Sequence, residues 1–300
     1  MRIYLPNVSE QEIGGGWTFL RNLKAGLGPQ CEFTDNMHDC DVYFITSVTL
    51  ANPQEVEEAH RLGKVIIFRV DNIPKKSRNK RSRVYDNIRK YAELADMVVF
   101  QSEWAQTYAG YLFAPDTPSM VIYNGVDTDV FFRAPEPEET DVRVPLKYLY
   151  VQYNRDENKR WPEAAYHFHM RQREDKRATL TIVGNFSPEN FNDDGTPHFD
   201  FFDNELITYI PPIHDRALLA EIYREHDILL FPAFADAAPN TVLKARACGL
   251  RVELVNPIGG TKEMLDPDLD ISLSRMCGEY RILFEFLLAD KINEQNQINE

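Results

Sequence analysis

The sequence is poor in cysteine and has no long apolar run, and each shortage excludes a class of protein. The four cysteines form no CxxC pair, so we expect reduced thiols in a cytoplasmic setting rather than a disulfide scaffold or a zinc site. No stretch approaches the roughly 20 apolar residues of a membrane-spanning helix, and we do not expect the opening residues to be a secretory signal. The GxGxxG and GxxxxGK[ST] patterns are absent, so a conventional dinucleotide site or P-loop is not supported.

Basic residues are also scarce, because 33 Lys and Arg stand against 47 Asp and Glu, for a net charge of -14. A globally basic protein that coats nucleic acid is therefore not expected. Hydrophobic residues make up 43% and charged residues 27% of the 300 positions, which is an ordinary globular balance. At roughly 150 residues per domain, the length predicts two domains.

Short apolar segments alternate with amphipathic ones along the chain. In the first half we predict strands over 2–5, 41–46, 64–70, 97–101 and 120–123. In the second half we predict strands over 148–153, 178–183, 206–210, 228–231 and 251–255. Because helical patterns separate these strands, the fold class predicted is α/β, with parallel sheets covered by helices on both faces.

A Pro- and Glu-rich stretch at 132–139 interrupts the alternation and is typical of a linker. The sequence therefore predicts an N-terminal Rossmann-like domain over 1–132, a linker over 133–145, a second Rossmann-like domain over 146–275 and a C-terminal helix and tail over 276–300. We expect a last apolar-rich helix from about Ser274 to Ala289 and a polar, frayed tail over Asn293–Glu300.

Two such domains in series create a cleft, and ligands of open parallel sheets bind where strands end. Three candidate segments follow predicted strands. Gly14-Gly15-Gly16 predicts a loop that lets backbone N–H groups approach an anion, or else a plain flexible loop. Arg155 and Lys159 lie four apart and suit a diphosphate, or else form a solvated charged turn.

The third segment follows the strand at 228–231. Asn240 is a favoured N-cap, which would direct the N–H groups of Thr241 and Val242 at a phosphate, and Asp236 before it suits ligand hydroxyls. An ordinary capped core helix is the equal alternative.

Taken together, these segments resemble the family 4 retaining glycosyltransferases of GT-B fold. Val121–Asp127 with Phe131 resembles that family's "VIYNGVD…F" segment, and the stretch from Phe231 to Gly249 resembles its "PS…EGFPN…LEAMACG" donor-site segment. Ile258–Glu263 resembles its "GG…E" turn. The resemblance covers nearly the whole chain in order, and the second half carries the more specific motifs.

The resemblance implies two Rossmann-like domains facing a central cleft, with the nucleotide-diphosphate sugar on the second and the acceptor on the first. It implies a hexosyl- or pentosyltransferase that retains the anomeric configuration and needs no metal, because cations and helix N-termini stabilise the leaving diphosphate. By position, Arg155 and Lys159 correspond to the diphosphate cations and Asp236 to the first acid of the Glu-x7-Glu pattern. Gly15 and Gly16 correspond to the glycine loop beside the donor.

Three departures from the family pattern bear on the site. Lys244 replaces the second Glu, which in the family binds the nucleotide ribose, so a phosphate or Asp236 becomes its expected partner. Asp236 is shorter than the usual Glu. Asp71-Asn72 replaces a His-Asp pair, so the role of that His is not transferred, and Asp71 falls near where the family's His faces the acceptor.

One window contrasts with the acidic chain and indicates an anionic acceptor. The window from Lys75 to Lys90 holds eight basic residues and one acidic residue, for a net charge of +7 that leaves -21 on the rest. Its acceptor-side residues are Lys75, Lys76, Arg78 and Arg81. A phosphorylated glycan, a lipid-linked phosphate at a membrane surface and a nucleic acid all fit this charge, and a solvated helix face is the plain alternative.

Several functions remain open on the sequence. The leading hypothesis is an active retaining glycosyltransferase with a glycan, lipid-linked or other anionic acceptor. The alternatives are a phage-type enzyme that glycosylates hydroxymethylated DNA bases, a catalytically lapsed GT-B protein that only binds nucleotide or glycan, and a nucleotide-sugar epimerase. No metal site is predicted, since Asp193-Asp194-Gly195 suits a surface turn and the histidines lack ligand spacing.

Overall fold

The computed structural model describes residues 1–7, 15–71, 82–113, 116–135, 145–152, 157–184 and 205–299. The chain divides into two compact units, one of Met1–Gly125 with Asp266–Glu300 and one of Val126–Leu265. This division differs from the predicted domains in two respects. The first boundary falls after Gly125 rather than in the Pro- and Glu-rich stretch, and the C-terminal helix belongs to the first unit.

The first unit contains one parallel sheet. Its strands are β1 (Arg2–Tyr4), β2 (Glu32–Thr34), β3 (Val42–Ile45), β4 (Val65–Arg69), β5 (Met97–Phe100) and β6 (Ser119–Val121). They lie in the order β2-β1-β3-β4-β5-β6. Every residue of β3 and β4 is buried, which explains why both strands are apolar throughout except at Arg69. The sequence pattern missed β2, a three-residue edge strand with no buried residue.

Helices link these strands and cover the sheet. They are α1 (Gly15–Leu27), α2 (Pro53–Arg61), α3 (Ser82–Leu94), α4 (Glu103–Phe113) and, from the end of the chain, α8 (Leu273–Asn299). Asn52 caps α2 because its side chain accepts a hydrogen bond from the N–H of Gln54 at 3.0 Å. Phe44 of β3 packs against the rings of Phe19, Tyr280 and Phe284, which joins α1 and α8 to the sheet.

Helix α8 is longer than the sequence predicts. Met276, Tyr280, Phe284 and Leu287 recur at helical spacing and are buried in the core of the first unit. The polar end does not fray as expected, since the helix runs to Asn299. Lys291 secures this part by donating from its Nζ to the Lys64 carbonyl at 2.8 Å, and no Gly or Pro interrupts the sequence beyond it.

The second unit contains another parallel sheet. Its strands are β7 (Lys147–Gln152), β8 (Thr179–Gly184), β9 (Ile207–Ile210), β10 (Ile228–Phe231) and β11 (Arg251–Leu254). Its helices are α5 (Trp161–Glu174), α6 (Arg216–Arg224) and α7 (Asn240–Ala247). In the order β11-β10-β7-β8-β9, strands β8 and β9 lie on one side of β7, and strands β10 and β11 lie on its other side. The reversal lies between β7 and β10. Among the helices described in the two units, none combines the length and the apolar character that crossing a membrane requires.

Candidate functional site

Three loops of the second unit meet where the strand order reverses. In open α/β sheets this switch point, at the carboxyl ends of the strands, is where ligands bind. The Phe234 N–H donates to the Asn158 carbonyl at 3.0 Å, which joins the loop after β10 to the loop after β7. The Ala235 N–H donates to the Ile258 carbonyl at 3.1 Å, which adds the loop after β11. The backbone therefore assembles a site from segments that are far apart in sequence.

The loop that carries Asp236 is held in a conformation with strained backbone. Buried Ala235 has φ 51°, a left-handed value that is rare for a residue with a Cβ. Gly259 has φ 120°, and a Cβ there would lie 2.5 Å from the Asp236 carbonyl oxygen. That oxygen accepts the Gly260 N–H at 2.9 Å. Such strain persists only where the surrounding structure holds it, and it is concentrated at functional sites.

Lys159 and Asp236 form an ion pair inside this site. Lys159 Nζ lies 3.2 Å from Asp236 Oδ2, and the two side chains are 32% and 20% exposed. The sequence predicts both residues as donor contacts, and the structure brings them together across 77 positions. Both side chains are partly accessible to water and so to a ligand of matching chemistry.

Tyr150 of β7 contacts the backbone of Lys159, and the sequence did not predict it as a site residue. Its hydroxyl lies 3.2 Å from the Lys159 carbonyl and also donates to the Gln152 side chain. Its ring packs on Trp161 with centroids 5.0 Å apart. Burial raises the pKa of Tyr150 well above its usual range, so the hydroxyl stays a neutral donor. The alternation of Tyr148, Tyr150 and Gln152 on one face of β7 was the available signal.

Arg160 adds a second cation beside the pair and was also missed. It has φ 49°, and its guanidinium lies 5.7 Å from the centre of the Phe234 ring. Its Nε donates to Glu163 Oε1 at 2.6 Å, in the first turn of α5. The side chain therefore borders the loop that carries Asp236.

The end of β8 approaches β7 too closely for any side chain. A Cβ on Gly184 would lie 1.5 Å from the Gln152 carbonyl oxygen, and the residue has φ 147°. Tyr209 of β9 fixes this strand end by donating from its hydroxyl to the Gly184 carbonyl at 2.9 Å. Only glycine fits here.

Helix α7 begins differently from the prediction. Pro239, not Asn240, is the N-cap, with no side-chain cap, and Asn240 is the first helical residue. The Val242 N–H donates to the Pro239 carbonyl at 3.0 Å, so it turns inward instead of pointing at a ligand. Thr241 places its side chain against the Tyr223 hydroxyl. The expected pair of N–H donors is thus reduced by one, because proline closes the first turn through its carbonyl.

Lys244, at the position of the family's second acid, lies beside an aromatic ring. Its Nζ is 5.1 Å from the centre of the Phe131 ring. Phe131 is buried and packs edge-on against Tyr223 at 6.1 Å. The sequence suggested a phosphate or Asp236 as the partner of Lys244. In the structure, Asp236 contacts Lys159.

In the first unit, Asp71 follows β4 next to a buried cation. Arg69 is 2% exposed and donates to the Thr46 carbonyl at 3.2 Å and to Asn124 Oδ1 at 3.0 Å. Its guanidinium lies 3.8 Å from the centre of the Phe19 ring. Burial lowers the pKa of Arg69, while nearby Tyr280 and Asp71 oppose that shift. A lone arginine in an apolar strand was the signal that sequence reasoning passed over.

The remaining predicted residues are placed as follows. Gly15 and Gly16 form the first turn of α1 rather than a loop, and a Cβ on Gly16 would meet no atom within 4 Å. Lys75, Lys76, Arg78, Arg81 and Arg155 lie outside the described residues, as do Gly14 and the Asp193-Asp194-Gly195 turn. Within the described ranges, no three His, Cys, Asp or Glu side chains are grouped to hold a metal ion.

No protein-family model and no curated protein matches the sequence. Solved structures do match. Anabaena HepE in complex with UDP and glucose gives a TM-score of 0.64 at 11% identity over 93% of this chain and 88% of that one. Sucrose-phosphate synthase from Thermosynechococcus elongatus gives 0.61 at 13% identity over 99% and 98%. The pneumococcal O-GlcNAc transferase GtfA in complex with UDP and GlcNAc gives 0.54 at 13% identity over 92% and 55%.

These structures are GT-B glycosyltransferases, and the likeness confirms the fold class that the sequence motifs imply. Both units of this chain have the parallel α/β sheet that the fold requires. At identities of 11–13% the likeness establishes the fold; the chemistry has to be argued from the residues.

Proposed function

We propose that this protein is a glycosyltransferase that moves a sugar from a nucleotide-diphosphate sugar to an acceptor hydroxyl with retention of configuration. The observation that carries the proposal is the Lys159–Asp236 pair at the switch point of the second unit. A cation and a carboxylate side by side match the two halves of such a donor, which are an anionic diphosphate and a sugar rich in hydroxyls. Structural neighbours crystallised with UDP and glucose support UDP as the nucleotide.

Lys159 is proposed to bind the diphosphate. Its ammonium group supplies up to three donors, and hydrogen bonds from a charged donor to phosphate are about twice as strong as neutral ones. Tyr150 holds the backbone of Lys159 from the strand side, and the Arg160 guanidinium lies 5.7 Å from the centre of the Phe234 ring, in the loop that carries Asp236. Arg155, by its place in the family pattern, is proposed as the further diphosphate cation.

Asp236 is proposed to bind hydroxyls of the sugar. Its loop is fixed through the Ala235–Ile258 and Gly260–Asp236 hydrogen bonds, so the carboxylate is positioned before a ligand arrives. In the absence of donor it pairs with Lys159. Donor binding would separate the two, giving the cation to the phosphate and the carboxylate to the sugar.

The chemistry follows from this placement. The bond between the sugar C1 and the β-phosphate oxygen breaks and its electron pair leaves with the diphosphate. A bond from C1 to the acceptor oxygen forms while the acceptor hydroxyl passes its proton to the departing diphosphate. Negative charge accumulates on the departing diphosphate in the transition state. A cation positioned beside the diphosphate therefore stabilises the transition state more than the ground state. We propose that Lys159 and Arg155 supply this stabilisation without a metal. Asn240, Thr241, Lys244, Gly15 and Gly16 are proposed as further donor contacts.

The first unit is proposed to hold the acceptor. Asp71 follows β4 and lies close enough to buried Arg69 to oppose the fall in the pKa of that arginine. We propose that Asp71 faces the acceptor hydroxyl. The basic window that starts four residues later supports an anionic acceptor, with Lys75, Lys76, Arg78 and Arg81 as its contacts. A modified DNA base remains the second acceptor class.

Thermal shift against a panel of nucleotide diphosphates and their sugars tests the donor assignment. A ligand that binds only the folded state adds about 2.7 kcal/mol to the free energy of unfolding at one hundred times its Kd, and so raises the melting temperature. We expect UDP and a UDP-sugar to raise the melting temperature, and Lys159→Met to abolish the shift while exposed Lys176→Met retains it. Shifts that are equal in both variants would contradict the site. Binding without turnover would favour the lapsed binder, an alternative that the replacement of the family's second Glu by Lys244 motivates.

A further inference from the structure

Helix α8 has a second apolar face besides the one that is buried in the core of the first unit. This outer face carries Ile282 and Phe286, which are 63% and 60% exposed, and Ile292, which is 57% exposed. Exposed Ala289 lies between them at helical spacing. Among the helices that the structure describes, no other carries three exposed large hydrophobic side chains. A contiguous exposed apolar patch marks an interaction surface.

A depression lies in the outer face beside Ile282. Gly278 precedes Ile282 by one helical turn and lies on the same side of α8. A Cβ on Gly278 would meet no atom from another part of the described chain within 4 Å. On the core side, by contrast, a Cβ on Gly26 of α1 would lie 2.4 Å from Cys277 Sγ. The outer side of α8 therefore has space for a side chain that comes from another molecule.

Opposite charges lie along one edge of the outer face. Arg281 and Glu285 are one turn apart, and both act on the nearby Cys31 thiol, whose pKa they shift in opposite directions. Glu285 is exposed and Arg281 is partly exposed. When two copies of one helix pack antiparallel about a two-fold axis, the same edge of each copy faces the other. A register centred beside Ile282 then places Arg281 of each copy level with Glu285 of the other.

We infer that the outer face of α8 binds a second copy of this chain, with the two helices antiparallel. Ile282 meets its counterpart at the two-fold axis, and Phe286 of each copy enters the depression at Gly278 of the other. Charged residues at the edges of a helix pair set its direction. The face is thus complementary to itself in shape and in charge, as a second copy requires.

The parallel arrangement of two α8 helices is disfavoured. In a parallel pair, opposite edges of the two helices face each other at the same level. Glu285 would then lie against Phe286 of the other copy and lose water without gaining a partner, which is costly for a carboxylate. The antiparallel arrangement is therefore the one that the charges select.

Sedimentation velocity of the intact chain tests this inference, which stands independently of the proposed transferase activity. We expect a dimer. Phe286→Ala removes two rings from each dimer and should raise the dissociation constant at least about 100-fold. Tyr111→Ala is the matched control, since Tyr111 is 86% exposed on α4 and should not affect the dimer. Circular dichroism verifies that both variants keep the fold.

Charge exchange tests the register. Arg281→Glu and Glu285→Arg should each raise the dissociation constant by about tenfold, because two like-charged pairs replace two opposite ones in every dimer. The double variant Arg281→Glu/Glu285→Arg should restore the affinity of the wild type. A different register would leave the single and double variants equally weak.

Disulfide formation tests the direction of the pair, and the four native cysteines are buried and do not interfere. Ile282→Cys should cross-link two copies, because the residue lies next to the axis. Phe286→Cys should not, since its two Cα atoms would be about 10 Å apart along the helices, beyond the roughly 7 Å that a disulfide spans. A monomeric wild type, a dimer that Phe286→Ala leaves intact, a double exchange that fails to restore binding, or a cross-link through Phe286→Cys would each overturn the inference.

Discussion

Replacing Asp236 with asparagine separates the two halves of the proposed donor site. In the wild type, Lys159 Nζ lies 3.2 Å from Asp236 Oδ2, so a diphosphate must compete with the carboxylate for the cation. The amide of an asparagine would keep the shape of the side chain but not its charge. The account therefore predicts opposite effects on the two parts of the ligand, with UDP bound more tightly and the sugar bound less tightly.

The magnitudes follow from the exposure of the pair. With 32% and 20% of the side chains exposed, solvent screens the ion pair, and its loss is worth about 0.2–1 kcal/mol. UDP affinity should therefore rise by up to about fivefold. A hydrogen bond from a sugar hydroxyl to a carboxylate is about twice as strong as one to a neutral amide. The ratio of UDP-glucose affinity to UDP affinity should therefore fall by about fivefold.

Isothermal titration of wild type and Asp236→Asn with UDP and UDP-glucose measures both quantities. The matched control is Asp175→Asn, a partly exposed aspartate in the same unit that follows α5 and pairs with Arg177. It should change neither affinity. If Asp236→Asn weakened UDP, the ion pair would not compete with the diphosphate. If the UDP-glucose to UDP ratio were unchanged, Asp236 would not contact the sugar.

Three further predictions concern the backbone beside Asp236 and the buried cysteines. Gly259→Ala should lower the free energy of unfolding, measured by urea denaturation, by about 1–3 kcal/mol, because its φ is left-handed and its Cβ would press on the Asp236 carbonyl. Gly110→Ala, in open space on α4, should raise the free energy of unfolding by about 0.5–1 kcal/mol. Equal effects of the two substitutions would refute the strain at Gly259. Burial raises the pKa of the Cys40, Cys248 and Cys277 thiols to about 11, so a maleimide near pH 8 should label them only after unfolding, and fast labelling of native protein would be contrary. Because the unfolded thiols ionise near pH 9 and the folded ones near 11, the free energy of unfolding should fall as pH rises through that window, and a flat profile would count against buried thiols.

Much of the fold could be predicted because strand patterns are local. Buried parallel strands such as 42–45 and 228–231 are continuous apolar runs in the sequence as well as in the structure. The unit boundary could not be read this way. The Pro- and Glu-rich stretch looks like a linker, yet the second unit begins at Val126, and α8 packs on the first unit through apolar residues whose partner no local pattern names.

The candidate site was predicted in part for the same reason. Lys159 and Asp236 each follow a strand, so strand-end reasoning found them, whereas their pairing depends on the sheet order β10-β7. Tyr150 was missed because a strand tyrosine looks like core until its hydroxyl is traced to the Lys159 carbonyl. Helix α7 starts one residue earlier than predicted, because Pro239 is its N-cap and the Pro239 carbonyl accepts the first helical hydrogen bond, from the Val242 N–H.

The most direct test of the central claim is the slow hydrolysis of nucleotide sugars in the absence of acceptor. Proton NMR of the anomeric signal measures its rate. The account predicts that the wild type releases UDP and free sugar from a UDP-sugar. It predicts that Lys159→Met reduces the rate by about 10- to 100-fold, as expected for loss of one charged hydrogen bond to the leaving diphosphate. Lys176→Met should hydrolyse at the wild-type rate. A rate for Lys159→Met that equals the wild-type rate would contradict the placement of the donor at the Lys159–Asp236 pair.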